Sequence, residues 1–206
     1  MIMRDKILKN IKSIEKFPLV LLVFGLIGLA ASIAIAAEKE HLLKNPGTEL
    51  ACNINPIYSC SNVFMSEQSH ILGISNEYLG IAVFGALIAV GVVLFAGARL
   101  KRWFWQLFLL GMLGSMAVVF WFFYQSVYVI GSLCIFCSIV WFSTWTITVV
   151  GYSWIVDTKQ IVIKKRYEKL VSIVRKNAAL IWFLLVLTFA TLILQHFWYY
   201  YGQYFD

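Results

Sequence analysis

Five apolar runs, at approximately 17–37, 78–98, 103–124, 134–156 and 178–198, carry no Asp, Glu, Lys or Arg in their interiors. Each is long enough to cross a hydrocarbon layer of ~30 Å, which takes about 20 helical residues. Lipid offers nothing to unpaired backbone N–H and C=O groups, so runs of this kind must be helices. A chain that is 61% hydrophobic and only 13% charged is too apolar for a water-soluble domain. The expectation is an all-α integral membrane protein crossing the bilayer five times.

The net charge of +7 invites a nucleic-acid reading, but the distribution of the charge opposes it. Arg4, Lys6, Lys9, Lys12 and Lys16 precede the first run. Arg99, Lys101 and Arg102 follow the second, and Lys159, Lys164, Lys165, Arg166, Lys169, Arg175 and Lys176 follow the fourth. Only Lys39 and Lys44 of the 17 basic residues lie elsewhere. Basic residues on alternate connections mark those connections as cytoplasmic. The amino terminus is then inside, and the carboxyl-terminal residues 199–206 are outside. These segments orient the chain and meet anionic lipid; no nucleic-acid partner is expected. "SIAIAAE" (32–38) resembles a signal-peptidase site, but the preceding run exceeds the roughly 7–15 residues of a signal core, so a retained span is favoured.

The longest non-membrane stretch, 38–77, carries Glu38, Glu40, Glu49, Glu67 and Glu77 and falls on the outer side. Turn chemistry stands at "NPG" (45–47) and "NINP" (53–56), and the semi-apolar 61–75 is expected to form a short helix at the membrane face. A loop this long without strong periodicity is usually functional. The link 157–176 reads as a basic amphipathic surface helix. "GLIGLAAS" in the first run and "GMLGSMA" in the third offer small residues for close helix contact in lipid.

All four cysteines fall on the outer, oxidising side, where thiols form disulfides: Cys52 and Cys60 in the loop, Cys134 and Cys137 at the start of the fourth run. Two structural disulfides are one reading. A pair at i and i+3, however, closes a ring too small to stabilise much through chain entropy. A zinc site fits poorly, because one pair is spaced wider than zinc ligands usually are and the other abuts a membrane span; no metal is expected. Redox work fits the spacing better. Cys134 is expected in a first helical turn, where the dipole and free N–H groups stabilise a thiolate and can bring a C-x-x-C thiol down to ~3.5–7.5. Cys137 lies one turn deeper, nearer the hydrocarbon. Such a pair suits electron transfer from a water-soluble protein to a lipid-soluble acceptor, with Cys52 and Cys60 shuttling between them.

"ACNINPIYSCSNVF" (51–64), "SNEYLG" (75–80) and "CIFC" (134–137), in that order, resemble the vitamin K epoxide reductase family over approximately residues 15–156. The resemblance is to its bacterial, disulfide-bond-forming type. It implies a four-helix transmembrane bundle around a quinone (ubiquinone or menaquinone), capped by the outer loop, with the fifth span as an addition. It implies that Cys52 exchanges with a thioredoxin-like partner, that Cys60 relays to Cys134, and that Cys137 faces the quinone. Asn76 falls where the family hydrogen-bonds a quinone oxygen, although a residue at a span's start can equally cap the helix. Trp141 stands where animal members carry a tyrosine; its only donor is the indole N–H, which puts epoxide chemistry in doubt. His41, His70 and His196 have no motif around them.

The combined expectation is a thiol:quinone oxidoreductase of the cell's inner (plasma) membrane, supporting disulfide formation in exported proteins. Residues 1–156 would be the catalytic core, and 157–206 the cytoplasmic link and fifth span. Since the chain stops at Asp206 without a fused thioredoxin-like domain, the periplasmic partner is expected to be a separate protein, and the membrane quinone pool its electron acceptor. The alternatives are a vitamin K (epoxide) reductase and a non-enzymatic membrane protein with two structural disulfides.

Overall fold

The computed structural model describes residues 2–71 and 73–202, with side chains from Lys16 onward except that of Tyr201. The side chains of Arg4, Lys6, Lys9 and Lys12, and the terminal 203–206 placed outside by the charge pattern, lie beyond what is described. Five helices are long and apolar enough to cross a membrane. They are α1 (Ile2–Lys44), α3 (Asn76–Phe95), α4 (Arg102–Tyr124), α5 (Ile135–Asp157) and α7 (Ala178–His196). The shorter elements are α2 (Cys60–Phe64), the two-residue strands β1 (His70–Ile71) and β2 (Ile74–Ser75), α6 (Glu168–Lys176) and α8 (Trp198–Tyr201). The protein is an all-α integral membrane protein, as the apolar runs required.

α5 is the most buried of the five spans and α7 the least. α1 packs along both α3 and α5, while α4 and α7 each lie against α5. α3 and α4 are joined by a short link yet hardly touch. The α1–α3 seam follows from small residues. A Cβ on Gly28 would run into the Phe84 ring, and one on Gly25 would come within 2.8 Å of the Ile88 side chain. Without hydrophobic drive inside lipid, such backbone proximity supplies the dispersion that holds helices together. The third run behaves differently: Gly111 and Gly114 of α4 have nothing within 4 Å of an added Cβ. "GMLGSMA" is therefore not a packing seam, because those glycines lie on the exposed side of α4.

Two buried clusters fill the bundle. At the end bearing the basic links, Phe17 stacks on Trp154 at 4.9 Å, and Trp105 meets Trp154 in a tilted contact at 4.8 Å. At the cysteine end, Phe189 of α7 inserts between Phe123 and Trp145, with ring centroids 4.0 and 4.4 Å away. Thr144, Thr146 and Thr148 return their hydroxyls to carbonyls four residues back, which satisfies them in an apolar setting. The Thr146 hydroxyl also accepts from the Trp182 indole at 3.1 Å and fastens α7 to α5.

The connecting segments depart from expectation in three places. The stretch 61–75 is a one-turn helix, a tight turn at Glu67–Ser69 and the small β1–β2 hairpin. In the basic link only α6 is regular α-helix, preceded by a tight turn at Lys165–Tyr167, and Arg175 pairs with Asp157 at the end of α5. α4 continues through a wider helical segment, Gln125–Ile130, that ends at Gly131 with φ +69°, a conformation glycine adopts without a Cβ penalty.

Candidate redox centre

Local polar chemistry brings the two cysteine pairs together. Asn55 accepts from the backbone N–H groups of Ile57 and Tyr58 at 3.0 and 2.7 Å, which folds the chain around Pro56. Asn53 donates to the Ser61 hydroxyl at 2.8 Å and accepts from the Ser61 N–H at 3.2 Å. These bonds close the loop that the Cys52–Cys60 disulfide spans. The loop then pairs with the residues before α5. Leu133 N–H donates to Ile57 C=O at 2.7 Å, Ser59 N–H donates to Leu133 C=O at 3.0 Å, and Asn62 donates to the Ser132 hydroxyl at 3.0 Å.

This strand-like stitch corrects one expectation. Cys134 is not in the first turn of a helix: its backbone is extended, φ −109° and ψ 126°, and α5 begins one residue later. The pairing at Leu133 holds the chain extended up to the helix start. The stitch also sets the Cys60 and Cys134 sulfurs 3.4 Å apart. Cys134 and Cys137 are free thiols, and all four cysteines are buried.

Cys134 ionises more readily than an ordinary thiol. Burial works against its thiolate, but hydrogen bonding from the Cys137 thiol and from the Cys137 and Phe136 backbone outweighs that penalty. A lowered pKa keeps the thiolate populated at lower pH, so exchange between Cys134 and Cys60 should persist below the ordinary thiol value of about 8.5. Acid-quenched alkylation across pH 6–9 should show the exchange rate levelling off below that value. Cys137→Ala, which removes a donor to the thiolate, should move the plateau upward.

Beyond Cys137 lies a cavity of about 260 Å³ bounded by α1, α2, α3, α4 and α5. Its walls are mainly apolar, and Cys137, Trp141 and Asn76 all line it. Trp141 is held edge-on by Phe123 at 5.7 Å and Phe122 at 6.4 Å. Asn76 is the first residue of α3, with Ser75 at the cap position, so its side chain does not cap the helix. Its amide donates instead to the Gln68 C=O at 2.9 Å, and its Oδ1 is buried with no hydrogen-bond partner. Among the described residues no cluster could hold a metal ion.

Sequence reasoning missed a second polar group on the same cavity. Lys39 and Glu77, 5% and 6% exposed, face each other at 3.4 Å and both line the cavity. A signal was present: Lys39 was one of two basic residues off the alternating charge pattern, and Glu77 follows Asn76 directly.

The sequence model of the Vitamin K epoxide reductase family matches residues 19–152, roughly two-thirds of the 206-residue chain. No curated protein matches it. The matched region holds both cysteine pairs and every residue named on the cavity wall. Members of this family are membrane oxidoreductases that work through thiol–disulfide chemistry. With five apolar helices, a loop disulfide stitched against a C-x-x-C pair, and a family match over that whole assembly, the chain belongs to the vitamin K epoxide reductase family.

Proposed function

We propose that the protein is a thiol:quinone oxidoreductase of the bacterial disulfide-bond-forming type. It would re-oxidise a thioredoxin-like dithiol protein and pass the electrons to a membrane quinone. The observation that carries this reading is the continuous sulfur path. Cys60 stands 3.4 Å from Cys134, Cys134 interacts with Cys137, and Cys137 opens onto an apolar cavity.

The relay runs by thiolate exchange. A partner thiolate attacks Cys52, forming a mixed disulfide and releasing Cys60 as the thiolate. Cys60 attacks Cys134 of a disulfide between Cys134 and Cys137, which frees Cys137. The partner's second thiol displaces Cys52 and departs oxidised, and Cys52 then reclaims Cys60 from Cys134. That sequence ends with Cys52 and Cys60 joined and two free thiols at Cys134 and Cys137, the arrangement the structure holds. The last two electrons leave through Cys137 as the bond between Cys134 and Cys137 re-forms. Because Cys52 is buried, the segment 45–59 must swing aside for the partner to reach it.

The cavity fits a quinone headgroup. At about 260 Å³ it lies just under the ~300–1,000 Å³ of sites enclosing drug-sized ligands, which suits a ring whose tail leaves between α3 and α4. An unpartnered buried oxygen is rare, and Asn76 Oδ1 is one; it would accept from a hydroxyl, while the remaining amide hydrogen and the Trp141 indole supply donors. A quinone bound there accepts two electrons and two protons. Residues 1–156 then form the catalytic core, and 157–206 supply a link and a supporting span. The cysteine end would face the periplasm across the plasma membrane, a reading supported by the basic residues on the opposite connections. Members of this family use quinones, and the acceptor here would be ubiquinone or menaquinone.

The test is direct oxidation of the C-x-x-C pair. Fully reduced protein, mixed anaerobically with a short-chain quinone and then alkylated, should lose its Cys134 and Cys137 thiols before those of Cys52 and Cys60. Oxidation that begins at Cys52 and Cys60, or no oxidation at all, would contradict the assignment.

A further inference from the structure

The cavity carries a polar path that the sulfur relay leaves unused. Lys39 Nζ donates to Ser75 Oγ at 2.9 Å and to Ser69 Oγ at 3.3 Å, and it pairs with Glu77 at 3.4 Å. Ser69 Oγ in turn meets His70 Nδ1 at 3.0 Å. Lys39, Ser69 and Glu77 are buried and all three line the cavity, while His70 is exposed on β1. An unbroken hydrogen-bonded chain therefore joins an exposed imidazole to an ammonium on the cavity wall.

A buried ion pair beside lipid is costly, and packing alone does not explain one here. Charges inside membrane proteins commonly mark ion or proton pathways. Extending the proposed quinone reduction, on which this inference rests, we propose that His70, Ser69 and Lys39 conduct protons from the aqueous face of the loop into the cavity. Lys39 Nζ is the atom that delivers them, and Glu77 holds the Lys39 charge in place.

The stoichiometry closes. As Cys134 and Cys137 join, their two thiol protons leave to water and their electron pair enters the acceptor. An N–H bond of Lys39 breaks and its proton goes to an acceptor oxygen. The Ser69 O–H proton moves to Lys39 Nζ, the His70 Nδ1–H proton moves to Ser69 Oγ, and His70 takes a proton from water. A second passage supplies the second oxygen, so two dithiol protons are released for two taken up. The geometry also separates the tasks: electrons arrive from α5, through Cys137, and protons from α1, through Lys39. Histidine suits the entrance because its two ring nitrogens allow it to take a proton on one side and give one on the other.

His70→Ala removes an exposed side chain and should leave the fold intact. With dithiothreitol as donor and a short-chain quinone as acceptor, turnover of the full-length protein should fall at least about tenfold, within the range for lost proton transfer. Imidazole added to the buffer should restore it. Equilibrium binding of the same quinone to thiol-blocked protein should stay within about twofold of wild type, since His70 is a conduit and not a ligand. Lys39→Met/Glu77→Met, which removes the charges together, should be folded, slow and insensitive to imidazole. Wild-type turnover in His70→Ala, or a loss that imidazole does not relieve, would overturn the proton path. A wild-type protein that neither binds nor reduces the quinone would instead overturn the quinone reading beneath it.

Discussion

Cys137→Ala should lower quinone reduction by on the order of 10³-fold or more, the scale seen when a reacting nucleophile is removed, while leaving a trapped intermediate. Cys137 is the sulfur that lines the cavity, so its loss severs the path to the acceptor. Cys134 stays 3.4 Å from Cys60 and can still attack it, displacing Cys52. With Cys137 gone only Cys52 can reopen the product, so alkylating the displaced Cys52 during the exchange should trap a disulfide between Cys60 and Cys134. Non-reducing digestion would then yield one species joining the peptides around residues 60 and 134. Cys60→Ala should abolish turnover with a protein dithiol donor, without that cross-link. Substantial turnover in Cys137→Ala would show that electrons leave from another sulfur.

Lys39→Met should destabilise the protein by about 3–5 kcal/mol, the usual cost of leaving one member of a buried ion pair without its partner. Glu77 is 6% exposed, and without Lys39 its carboxylate would face the cavity uncompensated. Removing both charges, as Lys39→Met/Glu77→Met, should recover most of that loss, because the double change also removes the desolvation cost. Thermal unfolding in detergent, followed by tryptophan fluorescence, would compare the variants. Equal destabilisation by the single and double changes would mean that the pair contributes packing and not mutual charge compensation.

The apolar runs made the membrane spans legible, since lipid leaves helices as the only way for them to pair their backbone groups. The cysteine positions were equally legible as two pairs at one end of the bundle. What the sequence could not show was the stitch at Leu133, which joins residues far apart in the chain. That stitch pulls Cys134 out of the helix, where a local reading of C-x-x-C before an apolar run had put it. The glycines illustrate the same limit. Gly25 and Gly28 pack against α3, whereas Gly111 and Gly114, with a similar local pattern, face nothing; spacing gives the face a residue shares but not what lies opposite. Asn76 was singled out by resemblance and does line the cavity, whereas its cap reading failed because Ser75 takes that position. Lys39 and Glu77 stood out only once α1 and α3 were seen to bring them together.

In the proposed relay four sulfurs form a path from an outer dithiol protein to a membrane quinone. The most direct measurement is quinone reduction by purified protein with a reduced thioredoxin-like dithiol protein as donor. Wild type should turn over, with one disulfide formed in the donor for each quinone reduced, and both Cys60→Ala and Cys137→Ala should be inactive. Absence of turnover with either ubiquinone or menaquinone, together with cysteines that resist mild reductant, would contradict the account and leave two structural disulfides in its place.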